Sequence, residues 1–290
     1  MTASSQPTGP RVQAMRIRHW TIRYPAALVI ASGQRFRMHL HVLELIRFST
    51  YAELRAERSR SYLGLAWWVL EPAMMMAVFW LVFDVIMKSG GPDYVPFLLV
   101  GLTVWQWMKS CISHGGYAIW TNLGLIRQAR LPVLVFPLVQ MFADTIKFFY
   151  IFGLLLVILW ASGYPPNLTY IALPALFVIV LVFAAGIGFL VASVVPLVPD
   201  LRFVIEQVLT VLMFVSGVVF SLEAVTEPLR GWLALNPVAT LIDAARGILM
   251  YARWPDWLAL AKVGVISLLV CAIGIAVVQW LAPRYPKLAA

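Results

Sequence analysis

Seven ionisable side chains fall inside otherwise apolar stretches: Glu71, Asp84, Lys109, Asp144, Lys147, Glu206 and Lys262. Charge in such surroundings is costly, so each group must be paired, reach water or line a path for an ion or substrate. Asp144 and Lys147 are three apart, which places them on one side of a helix where they neutralise each other. A self-paired group facing a bundle interior is one reading and a transport site the other. Glu206 lies one turn inside its apolar stretch and is expected to reach the nearer interface. A proton-coupled carrier would need a carboxylate near midplane without a partner, and Asp84, near the end of its stretch, is poorly placed for that. His114 stands alone among apolar neighbours, and Cys111 and Cys271 give neither a disulfide framework nor a metal site.

Nucleotide chemistry has no home in this chain. The five lysines follow Met87, Met108, Ile146, Ala261 and Pro286, so no Gly-Lys exists and no phosphate-binding loop can form. No H-E-x-x-H, no G-x-S-x-G and no paired Cys or His cluster occurs, and the polar residues assemble no catalytic group. That weighs against a membrane-embedded glycosyl or acyl transferase.

These residues must be positioned by membrane helices. The chain is 62% hydrophobic and 12% charged, with mean hydropathy +0.86, whereas soluble domains are about a quarter charged. A spanning helix needs about 20 apolar residues, which predicts spans at 66–87, 96–119, 133–161, 168–195, 203–222 and 257–281. Ten of the 22 basic residues are arginines between Arg11 and Arg60. Arg127, Arg130, Arg202, Arg284 and Lys287 mark alternate loops. Six spans with both termini cytoplasmic satisfy that bias. It also makes nucleic acid a poor explanation of the net charge of +9. Residues 24–33 resemble a short signal segment, but arginines on both sides favour an interfacial or loosely ordered one.

The organisation expected is therefore all-α: a cytoplasmic extension over 1–35, an amphipathic interface helix over 36–62, a six-span membrane domain over 63–282 and a tail over 283–290. In the interface helix His41, Glu44, Arg47, Tyr51, Arg55 and Arg58 share one face. Val42, Leu45, Ile46, Ser49, Ala52 and Ala56 lie opposite. Residues 225–252, interrupted by Pro228 and Pro237, read as two short helices dipping part way into the bilayer from outside. No internal repeat suggests an inverted carrier. Trp67, Trp68, Trp254, Trp257 and Trp280 fit an interfacial belt. Trp105 and Trp107 sit deeper. Packing explains each of them, and so does a conduit whose aromatic faces meet sugar C–H faces.

The segment RSRSYLGLAWWVLEP (58–72) resembles the opening of export permeases of the ABC type, in their polysaccharide and polyol-phosphate branch. YVPFLLVGLTVWQW (94–107), TNLGLIRQARLPVLVFPLVQ (121–140) and LALNPVATLIDAARGILM (233–250) resemble that family's second span, cytoplasmic loop and Asn-Pro-x8-Arg segment. Together they cover roughly residues 40 to 282. The Glu-Pro ending leans towards capsule exporters, the second span and loop towards O-antigen exporters.

The resemblance implies a permease homodimer in the bacterial inner membrane, driven by two copies of a separate ATPase and exporting a lipid-linked polysaccharide. The chain itself would hold no cofactor; ATP and magnesium would sit on the partner. Asn122, Leu125, Ile126, Arg127, Gln128 and Arg130 would form the coupling helix that enters the ATPase. Arg47, Tyr51, Arg55, Arg58, Arg60 and Glu71 would belong to the interface helix and its hinge. Trp105, Trp107 and Tyr117 are the conduit candidates. Asn236, Pro237, Thr240, Asp243 and Arg246 would build an external gate, with Asp243 and Arg246, three apart, pairing or facing the exit. Teichoic acid, a drug or a small lipid is the alternative cargo on the same fold.

Overall fold

The computed structural model describes residues 34–60, 66–86, 93–128, 131–221 and 235–288, with residues 225, 226, 228, 231 and 233. The chain divides after Leu40 into two units. Of the first unit only residues 34–40 are described, and every helix long and apolar enough to span a membrane belongs to the second.

Ten α-helices order the described chain: α1 Gln34–Arg60, α2 Ala66–Trp80, α3 Tyr94–Thr121, α4 Leu123–Gln128, α5 Val135–Ala161, α6 Leu173–Val194, α7 Leu201–Val215, α8 Pro237–Leu249, α9 Trp257–Leu281 and α10 Tyr285–Leu288. α2 continues as a π-helical stretch, Leu81–Ile86, and a 3-10 helix, Leu168–Ala172, leads into α6. Their starts are written in local sequence. Asn236 accepts a hydrogen bond from the Val238 N–H at 3.0 Å and Pro237 fills the first helical position of α8. Asp256 caps α9 through the N–H groups of Leu258 and Ala259, and Asn167 caps the 3-10 turn through Thr169.

Among the described residues, four helical segments are long and apolar enough to cross a membrane: Tyr94–Thr121, Val135–Ala161, Leu168–Val194 and Trp257–Leu281. They coincide with four of the six predicted spans. The expectation for 203–222 differs, because α7 ends at Val215. There the Ser216 hydroxyl turns back to the Leu212 carbonyl, and Gly217 takes φ +67°, the left-handed conformation that stops a helix. The 66–87 segment changes from α to π geometry after Trp80.

α3 is the centre of the packing. Its apolar window is 67% buried, against 22% for α9. It lies between α5 and α6, and α6 in turn packs on α9. The α6–α9 contact is backbone-close: a Cβ on Gly186 would lie 2.8 Å from the Cys271 nitrogen, and one on Gly274 would lie 2.9 Å from the Gly186 carbonyl. With little hydrophobic gain between helices in lipid, small residues supply the association by letting the backbones meet. The α3–α5 seam is aromatic instead. Trp107 stacks on Phe148 at 4.0 Å, and Phe177 of α6 meets Phe148 edge-on at 5.2 Å.

Candidate functional site

Near the middle of α5, Asp144 and Lys147 join Glu57 and His114 in a chain of charges across three helices. Lys147 of α5 lies 2.9 Å from Asp144 on its own helix and 2.9 Å from Glu57 of α1. The Asp144 side chain is 2% exposed and also meets His114 Nδ1 of α3 at 2.9 Å. The three-residue spacing of Asp144 and Lys147 thus gives the expected pair. His114 is not alone, however, because the α3–α5 seam brings it onto Asp144. Val42, Leu45 and Ile46 of α1 pack against Val135, Leu138 and Val139 of α5, so part of the predicted apolar stripe is covered by protein. Phe48 lies 71% exposed among the predicted polar residues.

A second group joins α3 to α7. Glu206 accepts hydrogen bonds from Ser113 at 2.7 Å and Tyr117 at 3.0 Å, and lies 3.4 Å from Lys109. α3 presents three partners one turn apart, and they hold a Glu206 carboxylate that stays 36% exposed. Arg202, one turn earlier on α7, stacks over the Trp120 ring at 3.6 Å. Ser113, Glu57 and Arg202 carried no sequence signal of these roles, because each partner comes from another helix.

The conduit candidates separate here. Trp107 is 4% exposed and donates its indole N–H to Thr145 Oγ1 at 3.2 Å. Trp105 is 2% exposed. Both are buried within this chain, Trp107 in the aromatic α3–α5–α6 seam and Trp105 at a cleft it shares with Gln106, Lys109 and Met213. Tyr117 is half-buried beside Glu206, with Gln106 and Lys109 along the same side of α3.

The Asn-Pro-x8-Arg segment is built around the end of α7. Arg246 of α8, 4% exposed, donates Nη1 to the Gly217 carbonyl at 2.7 Å, Nη2 to that of Val218 at 2.6 Å and Nε to that of Phe97 at 3.2 Å. Its guanidinium also lies over the Phe97 ring at 3.3 Å. The Gly217 and Val218 carbonyls follow the C-terminal end of α7, where the helix dipole favours a cation. Asn236 reaches the same break by donating to Ser216 Oγ at 2.9 Å. The predicted Asp243–Arg246 pair is not formed. Arg246 points inward to the carbonyls, and Asp243 pairs with Arg253 at 2.9 Å. Thr240 lies one turn after Asn236 on α8, its hydroxyl directed to the Asn236 carbonyl.

The loop between α3 and α5 folds as α4. Asn122 closes α3 by donating to the Ala118 carbonyl at 2.8 Å, and its own carbonyl accepts from the N–H groups of Leu125 and Ile126. Ile126 is buried, while Leu125, Arg127 and Gln128 are exposed. α4 packs against α10, where Tyr285 is buried and donates to the Ser193 carbonyl at 3.2 Å. Residue 130 lies outside the described residues, as do the side chains of Arg58, Arg60 and Glu71. Arg47, Tyr51 and Arg55 are exposed on α1.

A bundle of long apolar helices with charge networks inside and a short polar-capped helix before the last span defines an integral membrane permease. The chain belongs to the ABC-2 type transporter family, whose model matches residues 44–250. It is 30% identical over 221 residues to an O-antigen export system permease protein of Myxococcus xanthus, covering 74% of this chain and 85% of that one. An O-antigen export system permease protein of Klebsiella pneumoniae is 21% identical, covering 72% and 82%. The polysialic acid transport protein of Escherichia coli is 22% identical, covering 77% and 88%.

Proposed function

We propose that the protein is the membrane half of an ATP-driven exporter that moves a lipid-linked polysaccharide, an O antigen or capsule precursor, out across the bacterial inner membrane. The observation that carries this reading is the similarity to export permeases over nearly three quarters of the chain. Exposed α4 residues between two spanning helices agree with it. Two copies pair to form one pathway, and two ATPase subunits bind ATP and magnesium and drive it. With α2 and α7 taken as the first and fifth of six spans and both termini cytoplasmic, α4 lies on the ATP side and α8 outside.

In this reading Leu125, Arg127, Gln128 and Arg130 enter the ATPase, with Asn122 and Ile126 fixing α4 from below. Arg47, Tyr51, Arg55, Arg58 and Arg60 of α1 lie at the headgroups, with Glu71 beyond the hinge. ATP binding displaces both elements. The Glu57–Lys147–Asp144 chain passes the α1 movement to α5, and His114 passes it to α3. The half-buried polar side of α3, with Gln106, Lys109 and Tyr117, faces the conduit. Asn236, Pro237 and Thr240 set α8 as the gate, hung from the α7 break by Arg246.

Deleting the gene tests the cargo. Surface polysaccharide should vanish while its lipid-linked precursor accumulates on the inner leaflet, and the plasmid-borne gene should restore it. Unchanged surface polysaccharide in the deletion strain contradicts the reading.

A further inference from the structure

The turn between α8 and α9 adds a feature beside Thr240 and Asp243 of the gate helix. Two clefts adjoin there, of about 330 Å³ and about 160 Å³, and the Asp243–Arg253 ion pair borders both. Thr240, Asp243, Arg253, Trp254 and Asp256 line the larger one. Its size falls at the lower end of small-molecule clefts, which run from about 300 to 1,000 Å³.

The turn is held in a costly shape. Ala252 has φ +47°, the one non-glycine residue with positive φ among the described residues. Such backbone persists only where the surroundings enforce it, and it clusters at ligand clamps. Here the Arg253 N–H donates to the Gly247 carbonyl at 2.8 Å, which turns the chain back over α8. Arg253 then meets Asp243, and Trp254 stands beside them, 50% exposed and 6.4 Å from the Trp257 ring. An interfacial belt accounts for a tryptophan at the start of a span. It does not account for a strained turn that brings an ion pair and an indole into the wall of one cleft.

The chemistry of this wall selects a ligand class. A flat indole suits the C–H face of a pyranose. A guanidinium fork donates to hydroxyl oxygens, while carboxylates and a threonine hydroxyl accept from them. Two carboxylates and one guanidinium leave the larger cleft formally negative, which disfavours phosphate headgroups and favours a neutral, hydroxyl-rich ring.

We propose that the cleft bounded by Thr240, Asp243, Arg253 and Trp254 is a saccharide subsite that holds one sugar unit of the chain as it leaves, an inference that rests on the polysaccharide reading above. The permease assembled with its ATPase in lipid discs is titrated with oligosaccharides released by mild acid from the host's own surface polysaccharide. Inorganic phosphate serves as the competing probe. Trp254→Ala and Arg253→Gln should each weaken binding about tenfold or more and Trp254→Phe only about threefold, while phosphate displaces nothing. Thr240→Val replaces either variant if it fails to assemble. Parent-like affinity in the variants, displacement by phosphate, or no binding by the parent overturns the subsite. The export reading is judged separately by restoration of surface polysaccharide in the deletion strain, so a protein that exports yet binds no oligosaccharide sinks the subsite alone.

Discussion

Glu57 and Lys147, 90 positions apart in the chain, meet with a carboxylate oxygen 2.9 Å from the ammonium. The contact fastens α1, which precedes every predicted span, to the middle of α5. Because Lys147 also holds the buried Asp144, the two ends of the chain of charges carry unequal weight.

Lys147→Gln should cost about 1–3 kcal/mol, because it removes the ammonium from a buried carboxylate that keeps only His114. Glu57→Gln should cost less than about 1 kcal/mol, because that carboxylate is 40% exposed and screened by solvent. Detergent-titration unfolding of both variants reads the difference. Equal losses would mean that Asp144 does not depend on Lys147.

What the sequence made legible was periodicity and local spacing. Apolar run length placed α3, α5, α6 and α9, and a three-residue step paired Asp144 with Lys147. The same step failed at Asp243 and Arg246. Spacing puts two residues on one helix side but says nothing of a stronger claim from another helix, here the carbonyls after α7. The end of the fifth predicted span was hidden for a related reason. Val218, Val219 and Phe220 continue the apolar run past Gly217, so hydropathy alone extends a helix that the backbone has already stopped.

Arg246→Lys should weaken the packing of α8 against the end of α7 by about 2–3 kcal/mol. One ammonium cannot span three carbonyls as the planar fork does, and buried carbonyls are left unmet. Gly101→Ala should do comparable damage from the other side. Its Cβ would meet Arg246 Nη2 and lie 3.0 Å from the Val218 carbonyl. Thermal midpoints of the purified variants check both, and a neutral Gly101→Ala would contradict this packing of Arg246 against α3.

Gly274→Val should separate α9 from α6, since the added Cβ alone would lie 2.8 Å from the Phe189 Cβ. Overpacking of this kind costs about 1–3 kcal/mol. Gly153→Val is the control, because nothing lies within 4 Å of a Cβ there. Unfolding of the two variants side by side should show loss only in the first.

Burial pushes the Tyr285 phenol up to about 12. The folded chain therefore keeps this proton where the unfolded chain has begun to lose it. Stability from this group is full below about pH 10, the ordinary tyrosine value, and is lost as pH rises towards 12. Tyr285→Phe should remove part of the alkaline loss while lowering stability at neutral pH by about 1 kcal/mol through the lost hydrogen bond. Unfolding curves of the two proteins at about pH 7.5 and about pH 11, on either side of the ordinary tyrosine value, check this.

In the proposed mechanism a separate ATPase drives this chain through α4. The direct measurement is ATP hydrolysis by any ATPase encoded beside it, in lipid, alone, with the permease, and with Arg127→Glu. Stable co-purification, hydrolysis altered by the permease, and disruption of both by the charge reversal are the predicted result. A permease that purifies alone and leaves hydrolysis untouched would contradict the account.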